Sequence, residues 1–155
     1  MFKHEKILLF VYGTLKMQDC NNIYLSSSTY IGEAVTVDKM YMTFFGCPAV
    51  ILQNSNIKGY ITIEPLPILG EVYEISQETL ARIDVLEGHP NLYKRKLSKI
   101  NILKDNTKIK AYVYSMPLYK KYAHIINDID TDYIHINDNR YEYKDNILYY
   151  YLDRY

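Results

Sequence analysis

The chain has no tryptophan, and its two cysteines, Cys20 and Cys47, stand without C-x-x-C spacing or a neighbouring histidine. Neither a zinc site nor a redox pair is therefore encoded locally, and a reduced, cytoplasmic protein is expected. Charge of one sign is also missing: 18 Lys plus Arg balance 18 Asp plus Glu. A general polyanion-binding surface is thus not advertised, which removes nucleic acid and anionic membrane as primary partners. No apolar stretch approaches the ~18 residues of a membrane span, and no N-x-S/T acceptor occurs. The opening run Ile7 to Val11 ends in Tyr12-Gly13-Thr14 without a small-residue cleavage site, so it does not read as a secretory signal. What the chain has in excess is tyrosine, 18 of 155 residues. Tyr, Asn, Ile and Lys crowd the whole sequence, so this is a drift in background composition and a single Tyr or Asn says little. The length suits one domain, residues 1–155, with an ordinary core.

Ile7-Leu8-Leu9-Phe10-Val11-Tyr12 is a continuous β-prone run closed by Gly13, as expected of a buried strand ending in a tight turn. Asp19 is placed to cap a helix over roughly residues 20–27, although Asn21, Asn22 and Ser26-Ser27-Ser28 are poor helix material. Tyr30 to Phe45 and Pro48 to Leu52 alternate and read as one or two strands. A further strand is expected up to Ile75. Ser76 then caps a helix of about ten residues in which Leu80, Ile83 and Leu86 face inward, stopping near Gly88 and Pro90. Tyr93 to Leu103 and Lys108 to Tyr114, separated by Asp105-Asn106, form a hairpin. The tail from Met116 is a monotonous polar mixture whose last stretch, Tyr141 to Tyr155, suits a helix or an edge strand. Its Asp128, Asp130 and Asp132 do not make a calcium loop, because Tyr133 stands where glycine is needed and Asn139 where glutamate is needed.

Two segments carry chemistry. At Tyr12-Gly13-Thr14-Leu15-Lys16 a buried strand gives way to a turn, which exposes backbone N–H groups to a carboxylate or oxyanion; an ordinary strand exit is the alternative. At Asp84-Val85-Leu86-Glu87-Gly88 an acid occupies the last helical turn, where the helix dipole disfavours it. Partial burial beside Leu86 and Pro90 would raise the pKa of Glu87, as suits a group that accepts and then donates a proton; a solvated surface glutamate is the alternative.

These segments, with Gly70-Glu71-Val72-Tyr73-Glu74-Ile75, Ile83-Asp84-Val85-Leu86-Glu87-Gly88-His89-Pro90 and Tyr93-Lys94-Arg95, resemble the ordered motif set of the gamma-glutamylcyclotransferase-like family. That family includes the gamma-glutamylamine cyclotransferases and plant avirulence-induced relatives. The resemblance spans about residues 7–114 and leaves a Tyr-rich extension of about 116–155. It implies an α+β fold, a small mixed β-barrel with a few flanking helices. It also implies release of 5-oxoproline from a small gamma-glutamyl compound, most naturally a gamma-glutamylamine. Carried over by motif, Glu87 is the catalytic acid–base, and Tyr12, Gly13, Thr14 and Leu15 bind the glutamyl moiety, with Tyr93 at the pocket wall.

The chemistry asks for no metal or other cofactor, since one carboxyl can take the amine's proton and return it to the leaving group. Tyr93 and Arg95 would share a strand face, so stacking or an ion pair competes with substrate contact. Lys94, Arg95, Lys96, Lys99, Lys104, Lys108 and Lys110 read as a solvated hairpin face. His89 lacks a second ligand and reads as incidental, and Cys47 lacks a base to activate it. A non-catalytic module that binds a small carboxylate metabolite, or the same chemistry on gamma-glutamyl amino acids, is the rival reading. Monomer and homodimer are equally compatible with the sequence.

Overall fold

The computed structural model describes residues 6–17, 19–44, 48–51, 65–116, 140–144 and 147–151. The run Ile7–Val11 forms β1, with Leu9, Phe10 and Val11 all buried, as a strand covered on both faces requires. It pairs antiparallel with β5 (Leu69–Ile75), from Ile7 opposite Ile75 to Val11 opposite Glu71. On the other side of β5 lies β2 (Thr29–Thr36), which in turn reaches β6 (Lys94–Ile102). The hairpin of β6 with β7 (Lys108–Ser115) then brings Tyr112 beside Leu9 in parallel, so the sheet closes as a barrel in the order β1-β5-β2-β6-β7. This is the mixed barrel expected.

Alternation along the barrel strands divides the core in two. Phe10, Ala34, Val72, Ile100 and Val113 fill the interior. Leu9, Val11, Tyr73, Ile75 and Tyr114 face outward, where Leu80 and Ile83 of α1 (Gln77–Glu87) cover them. Among the described residues α1 is the one α-helix, and its start is as expected: the Ser76 hydroxyl accepts the Thr79 N–H at 3.1 Å.

Three expectations need correcting. The segment around residues 20–27 is a 3-10 turn, Asn22–Leu25, preceded by Asn21 and with no side-chain cap. Asp19 does not cap a helix, and the side chains of Asn21 and Asn22 are committed to residues 14 and 15 instead. Leu86 does not face inward but is 36% exposed, while Leu80 and Ile83 are buried. Three-residue steps lag the helical repeat by about 60° each, so the third member of a run at i, i+3 and i+6 rotates off the face that the first two share. The region from Thr29 to Ile51 holds three strands rather than one or two, since β3 (Tyr41–Phe44) and β4 (Pro48–Ile51) form a hairpin of their own after β2.

In the tail, β8 (Arg140–Lys144) and β9 (Ile147–Tyr151) pair as a two-stranded antiparallel sheet. Cys47, Asp128, Asp130 and Asp132 lie outside the described residues. No described helix is long and apolar enough to cross a membrane.

Gly70 shows why the barrel wall tolerates no side chain at that point. A Cβ there would sit 2.3 Å from the Val11 carbonyl oxygen and 2.6 Å from the Phe10 ring. Gly70→Ala should therefore reach the upper end of the ~1–3 kcal/mol typical of overpacking, read as a lowered urea midpoint.

Candidate active site

Beyond β1 the chain folds back on itself, and the carbonyls of the turn are satisfied from behind. The Lys16 N–H donates to the Gly13 oxygen at 3.0 Å and the Asn21 N–H to the Thr14 oxygen at 2.9 Å. The Asn21 amide donates to Thr14 Oγ1, and the Asn22 amide to the Leu15 oxygen, each at 2.9 Å. The N–H groups of Gly13, Thr14 and Leu15, by contrast, take no acceptor among the described residues. The turn is thus a set of donors held in shape by its own acceptors.

Opposite this turn stands the end of α1. Gly88 stops the helix in the left-handed region, at φ 66° and ψ 32°, a conformation that costs glycine nothing. Glu87 is the last helical residue, and its spacing of seven from Leu80 and four from Ile83 places it on the stripe that docks α1 onto the barrel. Its companions at the docking face are these two residues, not the exposed Leu86. Loss of hydration on that face pushes the Glu87 carboxyl up to about 7.

Glu87, Gly13, Thr14 and Leu15 line one cavity of ≈ 50 Å³, together with Tyr12, Tyr93 and Tyr114. All six residues picked out by sequence therefore meet at one place, though not all through their side chains. The Tyr12 hydroxyl is spent in the wall: it donates to the Tyr114 carbonyl at 2.8 Å and accepts the Val50 N–H at 3.0 Å. Leu15 buries its side chain under α1. Tyr93, 5% exposed, lies just before β6 and gives its N–H to the Glu87 carbonyl at 3.2 Å.

Arg95 is not at the cavity. Its guanidinium forks onto Asp84, with Nε 2.9 Å from Oδ1 and Nη2 3.2 Å from Oδ2, so the ion-pair alternative for this residue holds. His89 accepts the Arg95 N–H on Nδ1 at 3.2 Å.

Sequence reasoning missed Tyr114, which lines the cavity and stands opposite Arg95 in the hairpin register. Taking Asp105-Asn106 as a two-residue turn would have set Met116 opposite Arg95, because the observed register, with Asn101 opposite Lys108, lies two residues off that count. It also missed Glu71, a buried carboxylate that accepts the Met17 N–H at 2.7 Å and so anchors the far end of the turn. Nothing local marks that contact, which bridges 54 positions of sequence. Among the described residues no group of three His, Cys, Asp or Glu is arranged to hold a metal ion.

A donor turn facing a half-buried acid on a small mixed barrel defines a class of fold and site, and comparison with known proteins gives it a family. The family model described as "Gamma-glutamyl cyclotransferase, AIG2-like" matches residues 9–134. A Methanocaldococcus jannaschii protein provisionally named a gamma-glutamylcyclotransferase is 39% identical over 111 residues, covering 70% of this chain and 83% of its own length. Gamma-glutamylaminecyclotransferase B of Danio rerio is 33% identical over 119 residues, covering 73% of this chain and 61% of its own. Among solved structures, an AIG2-like protein from Mus musculus superposes with a TM-score of 0.61 at 23% identity, over 73% of this chain and 78% of that one. The chain belongs to the AIG2-like gamma-glutamyl cyclotransferase family.

Burial of Glu87 has a thermodynamic consequence independent of any reaction. Its folded-state pKa of about 7 lies above the ordinary 4.5, so the folded protein holds this proton more tightly than the unfolded chain does. The resulting stability is fully present below about 4.5 and is lost as pH rises through about 7. Glu87→Gln, which cannot ionise, should be more stable than the parent by about 1–3 kcal/mol at pH 8 and equal to it at pH 4. Urea unfolding at the two pH values reads the difference.

Proposed function

We propose that the chain is a gamma-glutamyl cyclotransferase that releases 5-oxoproline and a free amine, with a gamma-glutamylamine such as gamma-glutamyl-ε-lysine as substrate. The observation that carries the reading is the sharing of one small cavity by the raised-pKa carboxyl of Glu87 and the N–H groups of Gly13, Thr14 and Leu15, which take no acceptor among the described residues. Family membership supports the reaction class. The Danio rerio relative, named for gamma-glutamylamines, supports the substrate.

In this reading the N–H groups of Gly13, Thr14 and Leu15 hold the substrate's α-carboxylate, which turns its α-amine toward its own γ-carbonyl. Glu87, ionised, takes a proton from the amine as nitrogen attacks the carbonyl carbon and the five-membered ring closes. The tetrahedral adduct then breaks its bond to the departing nitrogen, which receives the proton from Glu87. One C–N bond forms, one breaks, and the carboxylate is restored. A pKa near 7 suits a group that must work in both directions at neutral pH. No step asks for a metal, a nucleotide or a covalent link to the protein.

A second substrate reading has a specific support. A Niallia circulans relative named gamma-L-glutamyl-butirosin B gamma-glutamyl cyclotransferase is 34% identical over 82 residues, which cover 52% of this chain and 46% of that protein. The same acid and turn would serve a larger leaving amine.

One assay separates the readings: 5-oxoproline release from gamma-glutamyl-ε-lysine, gamma-glutamyl-alanine, glutathione and gamma-L-glutamyl-butirosin B. Release from the first alone is the expected result. Glu87→Gln should lower kcat by ~10²–10⁴-fold with the fold intact, the range general acid–base catalysis supplies. The parent's kcat/KM should fall about tenfold per pH unit below about 7, as Glu87 takes up its proton before substrate arrives. A folded parent that releases nothing but still binds 5-oxoproline would point instead to a non-catalytic binding module.

A further inference from the structure

Little in the last turn of α1 is held by apolar packing. Its hydrophobic residues, Val85 and Leu86, are 82% and 36% exposed, and the buried anchors Leu80 and Ile83 both precede it. Nor does the helix hold itself electrostatically, since Asp84 and Glu87 place two carboxylates at the negative end of the dipole and no basic residue lies in that turn. What grips this turn comes from the β6–β7 hairpin. Arg95 and Tyr114 are cross-strand neighbours, and both reach Asp84. Arg95 Nε lies 2.9 Å and 3.2 Å from the two carboxylate oxygens and Nη2 lies 3.2 Å from Oδ2, while the Tyr114 hydroxyl donates to Oδ1 at 2.5 Å.

Both partners are themselves fixed. The Arg95 guanidinium stacks 4.8 Å over the Tyr112 ring, and its backbone N–H donates to His89 Nδ1. The Tyr114 carbonyl accepts the Tyr12 hydroxyl, which ties the same residue to the start of the donor turn. The Asp84 and Arg95 side chains are only 20% and 23% exposed, so the fork is shielded as an open surface pair is not.

Resting on the reading of Glu87 as the base, we propose that Asp84, Arg95 and the Tyr114 hydroxyl are a positioning unit for the reaction. It sets the Glu87 turn of α1 at a fixed place across the cavity from Gly13, Thr14 and Leu15. The three residues act through Glu87, and Arg95 in addition neutralises the charge that Asp84 would otherwise present to Glu87 one turn away.

The test is steady-state 5-oxoproline release from gamma-glutamyl-ε-lysine, with 5-oxoproline binding measured beside it, for the parent, Asp84→Asn, Arg95→Met, Arg95→Lys, Tyr114→Phe and the double variant Asp84→Asn/Arg95→Met. Misplacing the base should lower kcat by ~10–100-fold. KM and 5-oxoproline affinity should stay within about twofold, because the donor turn is untouched. Arg95→Lys should regain part of the loss, and the double variant should be no worse than the weaker single, as for residues acting as one unit. Parental kcat in the folded single variants would overturn the proposal, as would parallel losses of kcat and affinity or additive losses in the double variant. If Asp84→Asn fails to fold, Tyr114→Phe keeps the ring in the core and decides the question by the same split of kcat from KM. A parent inactive on the whole substrate panel overturns the reading of Glu87 and this proposal together, whereas an active parent with silent variants overturns this proposal alone.

Discussion

Glu87 takes the position on α1 that an apolar residue would normally take. Leu80, Ile83 and Glu87 form one line down the helix, and the first two are sealed against Leu9, Val11, Tyr73 and Tyr114 on the outer wall of the barrel. Docking the helix therefore carries a carboxyl out of water whether or not ionisation is favourable there. The burial that gives two-thirds of the stripe its stability raises the proton affinity of the remaining third. Everything else near the cavity can be understood as making that arrangement tolerable. Gly88 ends the helix at once, so no further turn covers the acid, and the Arg95 fork removes the one neighbouring negative charge on the same helix.

The opposite wall solves a complementary problem. A turn that leaves three consecutive N–H groups without acceptors among the described residues would collapse onto whatever acceptor lay nearest unless its shape were fixed by other means. Here the fixing falls to Asn21, Asn22 and Glu71, which approach from outside the cavity. The Asn22 amide also reaches the Tyr73 hydroxyl at 3.3 Å, and the same hydroxyl lies 3.5 Å from Glu71 Oε1. Glu71 belongs to the strand that pairs with β1, so it is the barrel, through β5, that holds the turn open. Donors face one way and acceptors another because the polar groups on each side have different partners.

What could be read from sequence follows the range of each interaction. Ser76, Gly88 and the Asp105-Asn106 turn act within a few residues, and the helix and hairpin they bound lie where expected, with Asn106 in the left-handed region at φ 58°. The Tyr12 to Leu15 turn and Glu87 were legible as types, a strand exit with free donors and an acid at a helix end. Their meeting in one cavity depends on barrel closure, which the motif order implied and local pattern did not. The expectation for Leu86 failed by simple geometry: a run of three-residue steps drifts off a 3.6-residue helix, and counting seven from Leu80 reaches Glu87 instead. Asp19 failed as a cap because Asn21 and Asn22 spend their amides on the preceding turn. Tyr114, Glu71 and the Arg95 fork onto Asp84 were invisible because each is defined by the register between distant segments.

Tyrosine abundance, which read as compositional background, takes a particular meaning at the buried positions. Tyr12, Tyr73 and Tyr114 are each no more than 7% exposed. Each spends its hydroxyl on a bond across elements: Tyr12 to the Tyr114 carbonyl, Tyr73 to the Asn22 amide, Tyr114 to Asp84. A phenylalanine would fill the same volume but leave the Tyr114 carbonyl, the Asn22 amide and the Asp84 carboxylate to find other partners, at about the cost of a lost buried hydrogen bond each. The rings build an apolar wall while their hydroxyls lock the donor turn, the barrel and the acid-bearing helix into one frame. Burial also pushes the Tyr114 and Tyr73 phenols upward, so both stay protonated donors at any pH at which Glu87 changes charge. Around a carboxyl whose pKa burial has raised to about 7, the scaffold is thus built from hydroxyls that keep their protons there.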